Sequence, residues 1–159
     1  MRLKTIAGNT HHWNFRKKRW NGEVSEPVYL IDTNIWLERL LDQAKSKEVG
    51  QFLAHTPSEQ LSMTDFAFHS IGLILSRFGR GDVLLKFSTD AFIEGNVSLI
   101  HLGPEDMPAI VNVMQGFSLD FDDAYQYVAA KRYALKIVSF DSDFDRADIG
   151  RKTPGQLGF

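Results

Sequence analysis

Short apolar runs alternate with longer segments of helical periodicity from residue 28 onward. Four runs, at 28–31, 60–63, 97–100 and 136–140, have the length and composition of buried strands. In the segments between them apolar side chains recur every three to four residues, which predicts helices over 35–44, through 49–53, and over 65–78, 82–92, 104–114 and 124–134. Strands that alternate with helices predict a parallel sheet flanked by helices, a three-layer α/β fold.

Residues 1–27 do not share this pattern, and they predict a basic N-terminal arm or extension joined to a domain over 28–159. The arm has six Lys and Arg against two Glu, whereas the rest of the chain has a net charge of −6. Its basic cluster consists of Arg16, Lys17, Lys18 and Arg19. Three aromatic residues lie around these cations, a composition typical of single-stranded RNA binding. Two alternatives stay open. In the first, the arm is solvated and its tryptophans cover an apolar surface. In the second, the arm is an intramolecular inhibitor that places a basic side chain among the acids of the site.

The composition removes several classes of site. None of the 159 residues is a cysteine, which excludes disulfides, thiolate zinc sites, iron–sulfur clusters and a cysteine nucleophile. The same absence fits a reducing, cytoplasmic location. No apolar run approaches the roughly 18 residues that a membrane-spanning helix needs, so no membrane association is expected. Neither a Walker-type phosphate loop nor a dinucleotide-binding glycine motif occurs.

Acidic residues stand where the predicted strands end and where one predicted helix begins. Asp32 ends the first strand, Asp65 follows the second and Asp141 follows the last. Asp120 and Asp123 stand at the start of the helix that leads into the last strand. Because parallel α/β sheets bind ligands beyond the carboxyl ends of their strands, we expect these carboxylates along one edge. Clustered carboxylates need protons or cations, and such hard oxygen ligands favour Mg²⁺ or Mn²⁺.

Each of these acids alone has a common structural explanation, since Asp is a frequent helix cap and turn residue. Their combination favours a metal site, because Asp120 can cap its helix and leave Asp123 free, and because Asp141 follows a strand instead of starting a helix. The segment from Asp141 does not fit a calcium-binding loop. Arg146 stands where that loop requires Gly, and Lys152 stands where it requires a bidentate Glu.

Three segments resemble the motifs of PIN-domain ribonucleases, in the order of that family. The first run continues into Asp-Thr-Asn at 32–34, residues 123–130 resemble an Asp-Ala-x-x-x-x-Ala helix, and residues 139–144 resemble the closing Ser/Thr-x-Asp-x-Asp-Phe signature. The resemblance implies a three-layer α/β/α PIN-like fold with a parallel sheet of four or five strands. It also implies Mg²⁺- or Mn²⁺-dependent hydrolysis of RNA phosphodiesters. Carried over by motif, the catalytic residues are Asp32, Asp123 and Asp141, and the metal ligands are these three acids together with Asp143.

The second acidic position departs from the family pattern. The family usually has a Glu within the helix after the second strand, whereas residues 62–70 contain none. Asp65 could replace it from one turn earlier, and His69, four residues on, shares its helix face and could act as a ligand or in proton transfer. These two residues and Asp120 are the accessory candidates. The alternative for His69 is a partly buried side chain with a purely structural role.

The length of the chain resembles that of VapC-like toxins, which are small PIN proteins of type II toxin–antitoxin pairs. This resemblance implies an endoribonuclease with RNA as substrate, an antitoxin protein as partner and a homodimeric assembly. A second hypothesis is a PIN-fold RNA- or protein-binding module whose catalysis has decayed with the missing Glu. A phosphate-receiving regulator with Asp32 as phosphoacceptor is a more distant third, because the paired acids expected near such an acceptor are missing.

Overall fold

The structure is a computed structural model that describes residues 28–158. The predicted arm at 1–27, with its cluster Arg16, Lys17, Lys18 and Arg19, therefore lies outside the described residues. Within the described part, no helix has the length and apolarity that a bilayer crossing requires.

Four parallel strands form a single sheet in the order β3-β2-β1-β4. They are β1 (Tyr29–Ile31), β2 (Leu61–Thr64), β3 (Ser98–Ile100) and β4 (Lys136–Val138). Each pair of neighbours is parallel, with Leu30 of β1 opposite Ser62 on one side and Ile137 on the other. A single parallel bridge from Val138 to Lys152 adds the beginning of a fifth strand beside β4.

Six α-helices connect and cover these strands. They are α1 (Thr33–Leu40), α2 (Ser46–His55), α3 (Asp65–Arg77), α4 (Gly81–Ser88), α5 (Met107–Phe117) and α6 (Phe121–Arg132). A π-helical turn at Thr89–Ile93 continues α4, and short 3₁₀ turns occur at Ser58–Gln60, Pro104–Asp106, Ser142–Arg146 and Pro154–Leu157. The predicted order of strands and helices is confirmed.

Successive residues of the central strand point into different cores. Leu30 packs in a core with α5 and α6, whereas the next residue, Ile31, packs in a core with α1, α2 and α3. Ile137 and Val138 of β4 divide between the two cores in the same way. Alternate side chains of a strand lie on opposite faces of the sheet, so the sheet is covered on both faces. The predicted three-layer α/β/α architecture is therefore confirmed, with four parallel strands in the described chain.

Two elements end earlier than their patterns predicted. The helix predicted over 35–44 ends at Leu40, and the chain then turns through Asp42, whose φ is +50°. The strand predicted over 136–140 ends at Val138. Pairing with β1 ends there: the Ser139 amide donates to the Lys152 carbonyl on the other side of β4, and the Phe140 amide donates to the side-chain oxygen Asn34 Oδ1.

Candidate active site

The carboxyl ends of the strands bring the predicted acids to one edge of the sheet. Asp32 directly follows β1, and Asp141 lies three residues beyond β4. The carboxylate oxygens of Asp123, Asp141 and Asp143 lie within 4.8 Å of one another. Three of the four carboxylates predicted as metal ligands thus meet in one cluster, and the fourth, Asp32, is held beside it by other contacts.

Asp32 is a buried carboxylate that accepts three short hydrogen bonds. Its Oδ1 accepts from Gln126 Nε2 at 2.6 Å, and its Oδ2 accepts from Ser139 Oγ and Asn34 Nδ2, each at 2.6 Å. Burial raises the pKa of Asp32, and the hydrogen bonds from Ser139 and Gln126 oppose that rise. These donors fix the orientation of the carboxylate and compensate part of its lost hydration.

The hydroxyl of Ser139 joins the two strands that end at the site. It donates to Asp32, and it accepts from Asn34 Nδ2 at 3.0 Å and from the Asp141 amide at 2.8 Å. Asn34 Oδ1 in turn accepts from the Phe140 amide at 3.1 Å. The start of α1 is therefore fastened to the loop that carries Asp141, which fixes the two segments relative to each other.

Asp123 is placed by the cap of its own helix. Asp120 is the N-cap of α6, and its Oδ1 accepts from the Asp123 amide at 3.1 Å. This contact confirms the prediction that Asp120 caps the helix and leaves the Asp123 carboxylate available. Asp120 therefore has a structural role as the N-cap of α6, and its role as an accessory residue of the site stays a prediction.

Burial, together with repulsion from the neighbouring acids, changes the protonation of Asp123. Burial raises the pKa of this carboxyl to about 8, with additional contributions from the negative charges of Asp120, Asp32 and Asp141. Burial also raises the pKa of Asp122 to about 6. The ionised form of Asp123 is therefore unfavourable in the metal-free protein, as expected where like charges share a site.

The loop after β4 supplies the other two carboxylates. Asp141 Oδ1 accepts from the Asp143 amide at 2.9 Å and caps the 3₁₀ turn Ser142–Arg146. The expectation that Asp141 does not start a helix is therefore wrong, because this acid both follows a strand and begins a short helical turn. Asp143 pairs with Arg146 at 3.0 Å, and buried Phe144 anchors the turn in the core below.

Asp65 and His69 do not join the three-carboxylate cluster. Thr64, not Asp65, caps α3, because its Oγ1 accepts from the Ala67 amide at 3.0 Å. Asp65 Oδ1 accepts from the Tyr125 hydroxyl at 2.9 Å. His69 is exposed, with its ring centroid 6.1 Å from that of Phe68. Their accessory roles remain predictions.

The sequence analysis did not identify Gln126 as part of the site. This residue is buried on α6, three positions after Asp123, and it contacts Asp32 directly. A signal was present in the sequence, since Gln126 is the only amide side chain among the eight buried residues of α6. Tyr125, which holds Asp65, is likewise a polar group within that buried run.

The residues of the cluster fit a hard divalent cation. Asp123, Asp141 and Asp143 offer carboxylate oxygens close enough to share one ion. The negative charges of Asp120, Asp32 and Asp141 add to the effect of burial on the pKa of Asp123, and a bound cation would offset these charges. Oxygen ligands of this kind suit Mg²⁺ or Mn²⁺. These three residues would hold the ion, with Asp32 adding negative charge beside them.

The metal-free protein is expected to lose stability as the pH rises from about 6 to about 8. The pKa of Asp123 is about 8 in the folded protein, against roughly 3.9 for an unfolded chain, so the folded state keeps a proton that the unfolded state has released. Denaturant unfolding in chelator at several pH values measures this trend. Mn²⁺ should stabilise the protein more near pH 8 than near pH 6, because protons compete with the cation. Equal stabilisation at both pH values would contradict the assignment of Asp123.

Comparison with solved structures finds the same fold in several proteins. A toxin–antitoxin complex from Klebsiella pneumoniae aligns at 19% identity and a TM-score of 0.64, covering 79% of this chain and 97% of that one. VapC20 from Mycobacterium tuberculosis, described as a sarcin–ricin loop cleaving toxin, aligns at 15% identity and a TM-score of 0.63, covering 76% and 95%. A protein from Pyrobaculum aerophilum aligns at 19% identity and a TM-score of 0.59, covering 85% and 95%. At these identities the likeness establishes the fold.

Sequence comparison identifies the family. No curated protein matches the chain significantly. The family model of the PIN domain matches residues 29–150, which includes all four strands and every acid of the cluster. The motifs at 28–34, 123–130 and 139–144 lie almost entirely within that match and carry the resemblance seen in the sequence. The chain therefore belongs to the PIN domain family.

Proposed function

We propose that the protein is a metal-dependent endoribonuclease that hydrolyses RNA phosphodiesters with Mg²⁺ or Mn²⁺. One observation carries the proposal: the carboxylates of Asp123, Asp141 and Asp143 converge within 4.8 Å at the carboxyl edge of a PIN-domain sheet. The catalytic residues in this proposal are Asp32, Asp123 and Asp141, with Asp143 as a further metal ligand.

The acids create the conditions that phosphodiester hydrolysis needs. A divalent ion, when bound, lowers the pKa of coordinated water and stabilises charge on the phosphate oxygens. Asp123, Asp141 and Asp143 would hold that ion at a fixed place. Asp32 adds negative charge beside them, and its three hydrogen bonds prevent it from rotating away. A cluster that is oriented before the substrate arrives needs little rearrangement during the reaction.

Two cations of the described chain border the acids and could contact an RNA backbone. Arg146 pairs with Asp143, and its other guanidinium nitrogen donates to the Ser118 carbonyl at 3.1 Å. The Lys45 ammonium lies 3.9 Å from the ring centroid of Phe140, the residue before Asp141. Phosphate groups are attracted to positive charge of this kind. The basic cluster at 16–19 remains a further candidate for the same role.

We also propose that the protein is the toxin of a toxin–antitoxin pair. The support is the fold that it shares with a protein of a Klebsiella pneumoniae toxin–antitoxin complex and with VapC20 from Mycobacterium tuberculosis, a sarcin–ricin loop cleaving toxin. The partners under this proposal are an RNA substrate, an antitoxin protein and a second copy of the chain. An RNA-cleaving role together with the absence of cysteine favours the cytoplasm as the location.

A PIN-fold binding module without catalysis is the competing function. It is favoured by the lack of Glu in α3, where Asp65 bonds to Tyr125 instead of joining the cluster. Metal binding separates the two proposals, because a binding module has no need to retain a cation site.

Cleavage of a mixed pool of structured and single-stranded RNAs tests the nuclease proposal. We expect cutting with Mg²⁺ or Mn²⁺, none with chelator, and a loss of roughly a hundredfold or more in Asp141→Asn. This substitution keeps the cap of the 3₁₀ turn, because an amide oxygen still accepts from the Asp143 amide.

The matched control is Asp82→Asn, which removes an exposed acid outside the cluster. It should cut RNA at the wild-type rate. Cutting by Asp141→Asn at more than about a tenth of the wild-type rate would contradict the role of Asp141. A wild-type protein that is folded but neither cuts RNA nor binds Mn²⁺ would support the binding module.

A further inference from the structure

Gln126 is a buried amide at the border of the acidic cluster. It is 3% exposed, and it lies three residues after Asp123 on α6, so both side chains project from the same face of the helix. Its Nε2 donates to Asp32 Oδ1 at 2.6 Å. The amide group is therefore in direct contact with the first acid of the site and close to the second.

The other end of this amide has no partner within the described chain. Gln126 Oε1 is buried, and no residue among 28–158 donates a hydrogen bond to it. Buried polar groups in folded proteins are nearly always paired, and an exception calls for a bound water, a bound ion or a functional role. The unpaired oxygen therefore indicates an occupant of the site that lies outside the described residues.

The surroundings of this oxygen favour a cation as that occupant. Oε1 and Nε2 share one carbon atom, so the oxygen also lies beside Asp32, whose charge interacts with those of Asp123 and Asp141. A polar oxygen beside a carboxylate of an acidic cluster attracts positive charge more strongly than it attracts a neutral water. Amide carbonyl oxygens are ordinary ligands of hard divalent ions.

We propose that Gln126 Oε1 is an additional oxygen ligand of the divalent-ion site, in place of the acid that α3 lacks. The inference rests on the proposed function, because it requires that the carboxylate cluster binds a metal. It assigns two tasks to one side chain. The amide nitrogen holds Asp32, and the amide oxygen faces the ion.

Mn²⁺ titration calorimetry of two variants tests this inference without measuring activity. Gln126→Met has a similar length but no polar atoms, and we expect it to bind Mn²⁺ roughly tenfold or more weakly. Gln126→Glu keeps an oxygen at the same position and adds a charge, so it should bind Mn²⁺ at least as tightly as the wild type. Mn²⁺ should also raise the melting temperature of Gln126→Glu more than that of the wild type, because the bound ion relieves the repulsion between the introduced carboxylate and Asp32. Gln115→Met, at an exposed position of α5, is the matched control and should bind like the wild type.

The outcomes distinguish the inference from the function on which it rests. Wild-type affinity within about twofold in Gln126→Met would overturn the inference and leave the metal site intact. Weakened binding in both variants would also overturn it, since Gln126 would then act only through its nitrogen on Asp32. Should Gln126→Met fail to fold, Gln126→Glu decides alone. A wild-type protein that binds no Mn²⁺ would overturn the proposed function together with this inference.

Discussion

Replacing Asp123 by Asn is expected to abolish RNA cleavage and at the same time to stabilise the metal-free protein near pH 8. The substitution removes a carboxylate from the cluster with Asp141 and Asp143. Loss of a residue that merely supports a metal ligand typically costs about 10–100-fold, so loss of a ligand should cost at least a hundredfold. Stability should change in the opposite direction, because the pKa of Asp123 is raised to about 8 and Asn resembles its favoured neutral form.

Cleavage rates and denaturant unfolding of the same two proteins measure both effects. The unfolding is done in chelator, so that metal binding does not contribute. Lost cleavage together with raised stability distinguishes a functional acid from a structural one, because replacing a structural Asp would lower the stability of the protein. A variant that cuts RNA at more than about a tenth of the wild-type rate would exclude Asp123 as a ligand.

Replacing Phe144 by Ala is expected to lower the free energy of unfolding by about 3–5 kcal/mol. Phe144 is fully buried in the core that α5 and α6 share, and it lies between Asp143 and Asp145 in the 3₁₀ turn. The cavity would therefore form directly below Asp143, one of the proposed metal ligands. We expect Mn²⁺ affinity to fall as well, because the turn loses the anchor that orients Asp143.

Urea unfolding and Mn²⁺ titration check this second expectation. Phe78→Ala serves as the comparison, because Phe78 is 66% exposed at the end of α3 and its loss should change the stability by less than about 0.5 kcal/mol. A Phe144→Ala protein with reduced stability and unchanged Mn²⁺ affinity would show that the turn keeps its geometry without the anchor.

Most of the fold could be predicted because its signals are local. Four short apolar runs became the four strands, and the stretches of helical period between them became the helices. The end of α1 could not be predicted, since Ala44 continues the apolar period and only the positive φ of Asp42 breaks the helix. The strand order depends on contacts between distant residues, and neither the apolar pattern nor the family motifs predicted it.

The sequence predicted which acids meet at the candidate site, but it did not predict the hydrogen-bond partners of those acids. Strand ends identified Asp32 and Asp141, and the cap at Asp120 correctly left Asp123 free. The three donors to Asp32 come from positions 34, 126 and 139, so their meeting depends on the tertiary fold. The hydrogen bond of Asp65 to Tyr125 likewise joins positions 60 residues apart, and nothing near Asp65 in the sequence indicates it.

The bridge between Val138 and Lys152 has a consequence for self-association. β4 is an edge strand, and edge strands with unpaired backbone groups invite pairing with another chain. Here the Lys152 amide donates to the Ile137 carbonyl, and the Lys152 carbonyl accepts from the Ser139 amide. This short segment occupies the edge next to the acids with backbone of the same chain. Because these backbone groups of β4 are already paired, a strand of another chain cannot add to this edge. The carboxyl end of β4 therefore stays accessible to a ligand.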